Sequence, residues 1–323
     1  MAQAKIGKPC ANRLPIGFLH LPFVHLALVL TLLSGLLLCP QLCRAADTSS
    51  AAAPAAPDDE EGKRKALTEI NKQLINPVSE LWSITFQQNN YYLTNPDRWN
   101  SNLNFQPVMP VALTSNWNLI TRPLIPLFVS APHPNPNDPR DIDRTTGFGD
   151  IALVELLSPS TKLAGNWLLG AGPTFIFPTA SSDYTGQGKW QAGPAAIAGY
   201  LSEKWILGAF VQNWTSFAGN DNRPSTNQMN LQPIASYFFG EGWGIGYSGN
   251  ILANWEADSG NMWTVPIGVV LSKVVKLGRL PVRVALAGQY MPIHPDQYGQ
   301  QWNIQVVIAP VIPKLIQRTL FCE

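Results

Sequence analysis

The sequence predicts an all-β fold: a transmembrane antiparallel β-barrel of about twelve strands, preceded by a short N-terminal amphipathic helix. Three observations lead there. The chain opens with a secretory leader; behind it apolar and polar residues alternate with a period of two; and long and short connections alternate along the chain. Of the 323 residues 46% are hydrophobic and only 13% charged, with 11 Trp, 8 Tyr and 13 Phe. No apolar run after the leader is long enough for a spanning helix, and a closed barrel is the other way to satisfy every backbone group in a bilayer.

Residues 1–45 read as the signal peptide. Lys5, Lys8 and Arg13 precede an apolar stretch over 26–39 that is too short to span a bilayer as a helix, and Cys43-Arg44-Ala45-Ala46 supplies small residues for cleavage. Leu38 and Leu42 precede Cys39 and Cys43 where a lipoprotein signal usually carries a small residue, which argues against lipidation. Cleavage leaves 18 of the 22 basic residues against 21 acids, a mildly acidic chain without the basic patch that nucleic acid requires. It also leaves Cys322 as the single thiol, so neither an internal disulfide nor a cysteine metal site is expected.

Residues 46–62, rich in Ala, Pro and Ser and ending in acids, read as a flexible linker. Over residues 63–76, Ala66, Leu67, Ile70, Leu74 and Ile75 fall at helical spacing. That helix is read first as a cap on the body and second as a plug or partner-binding element.

Barrel strands are expected within 77–312, at about 80–92, 102–113, 117–129, 149–158, 163–177, 190–200, 205–217, 227–239, 242–255, 262–275, 279–291 and 302–312. Trp243, Ile245, Tyr247, Ile251 and Trp255, for example, alternate with Gly244, Ser248, Asn250 and Asn254. The connections 93–101, 130–148, 179–189, 218–226, 256–261 and 292–301 are longer than 114–116, 159–162, 201–204, 240–241 and 276–278 between them. Long outer loops and tight periplasmic turns produce this pattern and place both termini in the periplasm, whereas a soluble sandwich has no reason for it. Pro123, Pro126, Pro173, Pro194 and Pro266 fall inside strands and are expected to mark bulges. Residues 313–323 form a C-terminal tail.

The ordered set Asn76-Pro77-Val78-Ser79-Glu80-Leu81, Leu103-Asn104-Phe105-Gln106-Pro107, Trp117-Asn118-Leu119-Ile120-Thr121-Arg122, Thr146-Gly147-Phe148-Gly149-Asp150, Gly172-Pro173-Thr174-Phe175, Gly188-Lys189-Trp190-Gln191-Ala192-Gly193-Pro194 and Trp263-Thr264-Val265-Pro266 resembles the bacterial outer-membrane family named after the MetA pathway of phenol degradation, whose members are often labelled transporter or neuromedin U. The resemblance covers about residues 76–312. It implies an outer-membrane barrel for uptake of small, often aromatic or hydrophobic compounds, and lends no catalytic residues. One departure is the tail beyond the last strand, where Phe321 stands in for the terminal aromatic that assembly machinery reads.

Charged residues in strands are expected to face the lumen, because a basic residue facing lipid at midplane costs ~2–4 kcal/mol. The expected lumen-lining and solute-binding set is Arg122, Glu155, Gln228, Asn230, Gln232, Asn250, Asn254, Arg283, Gln289, Asn303 and Gln305; Lys273 is turned inward by the same argument. Such amides either pass a small polar solute or bond to one another and fill the bore. His133 and His294, both in expected outer loops, are the histidines left after cleavage, and no nucleophile elbow or paired carboxylates accompany them, so a rim-sited hydrolase is disfavoured and a non-enzyme expected. Asp138, Asp141 and Asp143 read as solvated loop acids before a Ca²⁺ site, and Asn213-Trp214-Thr215 as a coincidental sequon. No cofactor is expected. The expected partners are outer-membrane lipid and lipopolysaccharide, the barrel-assembly machinery and a small-molecule solute, with no nucleic acid. A passive channel or transporter is the leading expectation; a structural or surface-interaction barrel with a sealed lumen is the alternative.

Overall fold

The computed structural model describes residues 57–316 and 319–321, so the signal peptide, most of the expected linker and the end of the tail lie outside the described residues. Fourteen strand segments form one closed antiparallel sheet: β1 (Ser83–Thr94), β2 (Arg98–Ala112), β3 (Trp117–Asn135), β4 (Asp138–Gly147), β5 (Ile151–Pro159), β6 (Trp167–Phe177), β7 (Lys189–Leu201), β8 (Trp205–Gly219), β9 (Asn227–Gly240), β10 (Trp243–Tyr247), β11 (Ile251–Asn254), β12 (Trp263–Leu277), β13 (Leu280–Ile293) and β14 (Gly299–Pro310). Because β4 and β5 pair with successive parts of β3, and β10 and β11 both lie between β9 and β12, the fourteen segments make twelve barrel strands. β1 pairs with β14, Phe86 opposite Ile308 and Tyr92 opposite Trp302, which closes the ring. Every neighbour is sequence-adjacent apart from this seam, as an up-and-down barrel requires.

Two helices accompany the strands, α1 (Pro57–Ile75) and the single turn α2 (Thr161–Ala164). α1 begins inside the stretch read as linker, so residues 57–62 are helical.

Connections at one end of the barrel, here the terminal end because the chain joins β1 and leaves β14 there, include 241–242 and 278–279. Glu241 and Gly242 both have positive φ (52° and 79°), the backbone of a type I′ hairpin turn, and glycine at the second position takes that conformation without strain.

Several expectations need correction. The expected loop 130–148 is instead a hairpin: β3 runs on to Asn135 and pairs with β4, His133 opposite Asp143. Pro132 and Pro134 lie where this hairpin outruns β2, whose pairing with β3 ends at Ser101 and Ser130, so their missing N–H groups cost no ladder bond. The expected tight turn 159–162 is a seven-residue connection, 160–166, that carries α2. The expected strand 242–255 is broken at 248–250.

The strand prolines divide into two kinds. Pro126 and Pro266 sit at register shifts, as expected of bulges. Pro123, Pro173 and Pro194 instead stay in regular register with one neighbour, while pairing lapses on the other side: residues 122–124 have no partner on β2, 172–173 none on β5 and 193–194 none on β8. Each of the last two follows a glycine that the opposite strand approaches closely. A Cβ on Gly172 would lie 2.0 Å from the Glu155 carbonyl oxygen, and one on Gly193 2.0 Å from that of Asn213.

Alternation sorts the side chains into two faces. On the outer face, Leu169, Leu207, Val269, Leu271, Leu286 and Ile304 are exposed across the middle. Aromatic pairs flank them: Trp167 with Tyr200 (5.2 Å) and Tyr200 with Trp205 (5.9 Å) toward the terminal end, Phe177 with Trp190 (5.6 Å), Trp255 with Trp263 (5.4 Å) and Tyr290 with Trp302 (4.5 Å) toward the other. On the inner face a buried cluster of Ile120, Val154, Leu156, Ile197, Phe210 and Ile234 closes around Val78 and Ile75.

Candidate functional site: the barrel interior

The interior has three storeys, each built by inward positions of named strands. At the terminal end α1 packs against β9, β10, β12 and β13. Its Asn71, fully buried, donates from Nδ2 to the Gly242 carbonyl (2.8 Å) and to Ser272 Oγ (3.1 Å), and its Oδ1 accepts from Arg283 Nε (3.1 Å). Thr68 Oγ1 accepts from Gly242 N (3.1 Å), and Lys72 Nζ donates to the Glu203 carbonyl (3.2 Å). Beyond α1 the chain crosses the opening: Glu80 Oε1 accepts from Thr161 N and Oγ1 (both 3.1 Å), and Trp82 Nε1 donates to the Pro110 carbonyl (2.8 Å). Helix, crossing segment and apolar cluster together occlude this end.

A cavity of about 360 Å³ occupies the middle. Arg122, Asn230, Gln232, Asn250, Arg283, Gln289 and Gln305 of the expected set border it, with Gln87, Asn89, Gln106, Gln212, Phe210 and Trp214. On one wall the amides form a ladder through β2, β1, β14 and β13. Asn89 Oδ1 accepts from Gln87 Nε2 (3.2 Å), Gln305 Nε2 (2.9 Å) and Asn303 Nδ2 (3.4 Å), while its Nδ2 donates to Asn102 Oδ1 (2.8 Å). Asn303 also donates to Gln289 Oε1 (3.1 Å), and Gln289 to Ser248 Oγ (2.7 Å) at the break between β10 and β11. Opposite, Trp214 Nε1 donates to Thr174 Oγ1 (2.9 Å), which donates in turn to Gln212 Oε1 (3.2 Å).

The far end holds a third group. Gln228 Nε2 donates to Gln187 Oε1 (3.0 Å) and Gln191 Oε1 (2.9 Å), and Arg223 Nη2 to the Gly186 carbonyl (2.7 Å). Gln228, Asn254 and Arg223 border a second recess there.

Two charged residues are not where the sequence argument puts them. Glu155 alternates with the buried Val154 and Leu156 and therefore lies on the outer face, where its Oε2 accepts from Thr121 Oγ1 (2.7 Å). Lys273 likewise lies opposite the buried Ser272 and Val274, its Nζ 4.5 Å from the ring centroid of Trp243. The reason is that a polar residue in the wall needs only a local partner, not a lumen: Thr121 for the one, and for the other an aromatic face at the end of the strand, reached by a long flexible stem. The amides of β1 and β2, Gln87, Asn89 and Asn102, were missed; alternation in Gln87-Gln88-Asn89-Asn90 is hidden because both faces carry amides.

His133 is buried within the β3–β4 hairpin, its ring nitrogens against the Pro134 carbonyl (2.9 Å) and Thr145 Oγ1 (2.8 Å) and its ring stacked 3.5 Å from Tyr184. His294 Nδ1 lies 2.9 Å from the Pro295 carbonyl. Among the described residues no group of His, Cys, Asp and Glu can hold a metal, and no helix is long and apolar enough to cross a membrane.

A closed antiparallel barrel, apolar outside between two aromatic girdles and amide-rich within, defines the class as the outer-membrane β-barrels. Among solved structures the chain is similar to the crystal structure of an outer membrane channel from Pseudomonas putida F1, at 15% identity and a TM-score of 0.51, over 72% of this chain and 94% of that one. No protein-family model and no curated protein matches the chain.

Proposed function

We propose that the protein is a passive outer-membrane channel or transporter for small, often aromatic or hydrophobic compounds. The observation that carries this reading is the cavity of about 360 Å³ inside the ring, bordered by amides and by the rings of Phe210 and Trp214. A volume of that order matches the clefts that hold small ligands. The likeness of fold to an outer membrane channel supports the reading, as does the sequence resemblance to the phenol-degradation family. In this proposal the exported chain is inserted by the barrel-assembly machinery among lipid and lipopolysaccharide, with the terminal end facing the periplasm and α1 as the element that must yield for solute to leave.

The occluded terminal end favours a second reading, a structural or surface-interaction barrel with a sealed lumen. Liposome swelling with small sugars and with 4-hydroxybenzenesulfonate, a phenol whose charge keeps it from crossing lipid unaided, on the full chain and on Asn71→Ala, separates the two. Asn71→Ala removes the bonds from α1 to Gly242, Ser272 and Arg283. The channel reading expects the sulfonate to pass the native protein and to pass the variant several times faster. No solute flux through either protein would sink the channel reading and leave the sealed barrel.

A further inference from the structure

Among the residues that border the central cavity are two arginines, Arg122 and Arg283, and no aspartate, glutamate or lysine. A buried guanidinium is ordinarily paired with a carboxylate, since an uncompensated charge away from water is costly. Here neither has one among the described residues. Arg283 Nε donates to the amide oxygen of Asn71. Arg122 lies with its guanidinium carbon 5.5 Å from the ring centroid of Phe210, and its Nη1 is buried without any hydrogen-bond partner. Across the same cavity, on β9, Asn230 Oδ1 is a second buried polar atom without a partner. Phe210 pairs across strands with Gln232, and Asn230 is two residues further along the same inward row, roughly 6.6 Å at the usual rise of a strand. An orphaned cationic donor and an orphaned acceptor thus border one cavity, with an aromatic ring beside the cation.

We infer that this cavity is a binding site for a small organic anion, an aromatic carboxylate carrying a hydrogen-bond donor at its far end, with Arg122 taking the carboxylate and Asn230 the donor. The guanidinium fork matches a carboxylate in two parallel bonds. Phe210 and Trp214 supply apolar contact for the ring between the two ends, and the anion offsets a positive charge that the wall itself leaves unbalanced. The inference names the solute class for the transport reading and rests on that reading only for its physiological use, not for the binding itself.

The test is calorimetric titration of the detergent-solubilised full chain at neutral pH with 4-hydroxybenzoate and with 4-hydroxybenzyl alcohol, which keeps the ring and the hydroxyl and lacks the charge. The acid is expected to bind at least tenfold more tightly than the alcohol. Arg122→Gln, checked for a folded barrel by its unboiled gel mobility, is expected to lose that tenfold preference. Arg122→Lys keeps the charge without the fork and should retain part of it. Asn230→Ala is expected to narrow severalfold the advantage of 4-hydroxybenzoate over benzoate. Equal affinity for acid and alcohol in the native protein overturns the site, a comparison that stands even if every variant fails to fold, and so does an undiminished preference in Arg122→Gln. If the acid binds selectively but no solute swells liposomes, the transport reading falls and the site stands; if solutes pass without charge preference in binding, the site falls and the transport reading stands.

Discussion

Asn89 shows what a single inward amide does in a barrel of this bore. Its Oδ1 accepts from three side chains and its Nδ2 donates to a fourth, so it ties β1 to β2 and β14 while being almost fully buried. Leaving one buried polar group without its partner costs about 1–3 kcal/mol, and Asn89→Ala strands several at once. The variant is expected to lose about 2 kcal/mol or more, read as a lower urea midpoint for unfolding from lipid vesicles; an unchanged midpoint would mean that water replaces the amide. Glu155 makes the opposite case. A carboxylate on the outer face opposes burial in lipid, and its bond from Thr121 offsets only part of that. Glu155→Leu is therefore expected to raise stability in the same assay, by roughly 1 kcal/mol. A loss instead would show that the Thr121 bond outweighs desolvation.

At the scale of elements, α1 is held by buried polar contacts rather than by its surface charges. The Arg64–Glu241 ion pair (3.0 Å) links two side chains that are more than half exposed, 60% and 56%. Exposed pairs of this kind contribute about 0–1 kcal/mol. Arg64→Ala should leave both stability and solute flux near their native values, whereas Asn71→Ala should change both. Comparable effects from the two substitutions would contradict the assignment of Asn71 as the anchor. The twelve barrel strands were legible in the sequence because alternation is imposed wherever one face of a sheet meets an apolar surround and the other does not. The same argument reached Gln289, Asn303 and Gln305, whose strands carry a clean contrast. It failed at Glu155 and Lys273, where it assumed that charge alone sets direction, although the register of Leu156 and Ser272 sets it. It also read 130–148 as a loop, because proline-rich composition resembles a loop wherever the free edge of a hairpin tolerates proline. The contact of α1 with β12 and β13 has no local signature at all, since the partners lie some 200 residues away.

For the molecule as a whole, closure is the property to measure. Pairing of β1 with β14 leaves no free edge in the barrel wall below the projecting β3–β4 hairpin, so unfolding must break the ring rather than peel a strand from it. Unboiled protein is expected to run faster on a detergent gel than boiled protein. Absence of that shift, with the protein in a soluble fraction, would contradict a membrane barrel and invert the two faces described above.

The anchoring of Asn71 also has a consequence in time. Synthesis proceeds from the N-terminus, so α1 is among the first parts of the body to be made, yet its partners Gly242, Ser272 and Arg283 arrive 171 to 212 residues later. Until the last hairpins exist, the helix has nowhere to dock, and contacts of such sequence separation form slowly. Because α1 is continuous with β1 through the crossing segment that Glu80 and Trp82 hold, it reaches the bore from the terminal end. Docking of the helix is therefore a late event that waits for β12 and β13, and until it happens the nascent chain must be kept from aggregating by something other than itself.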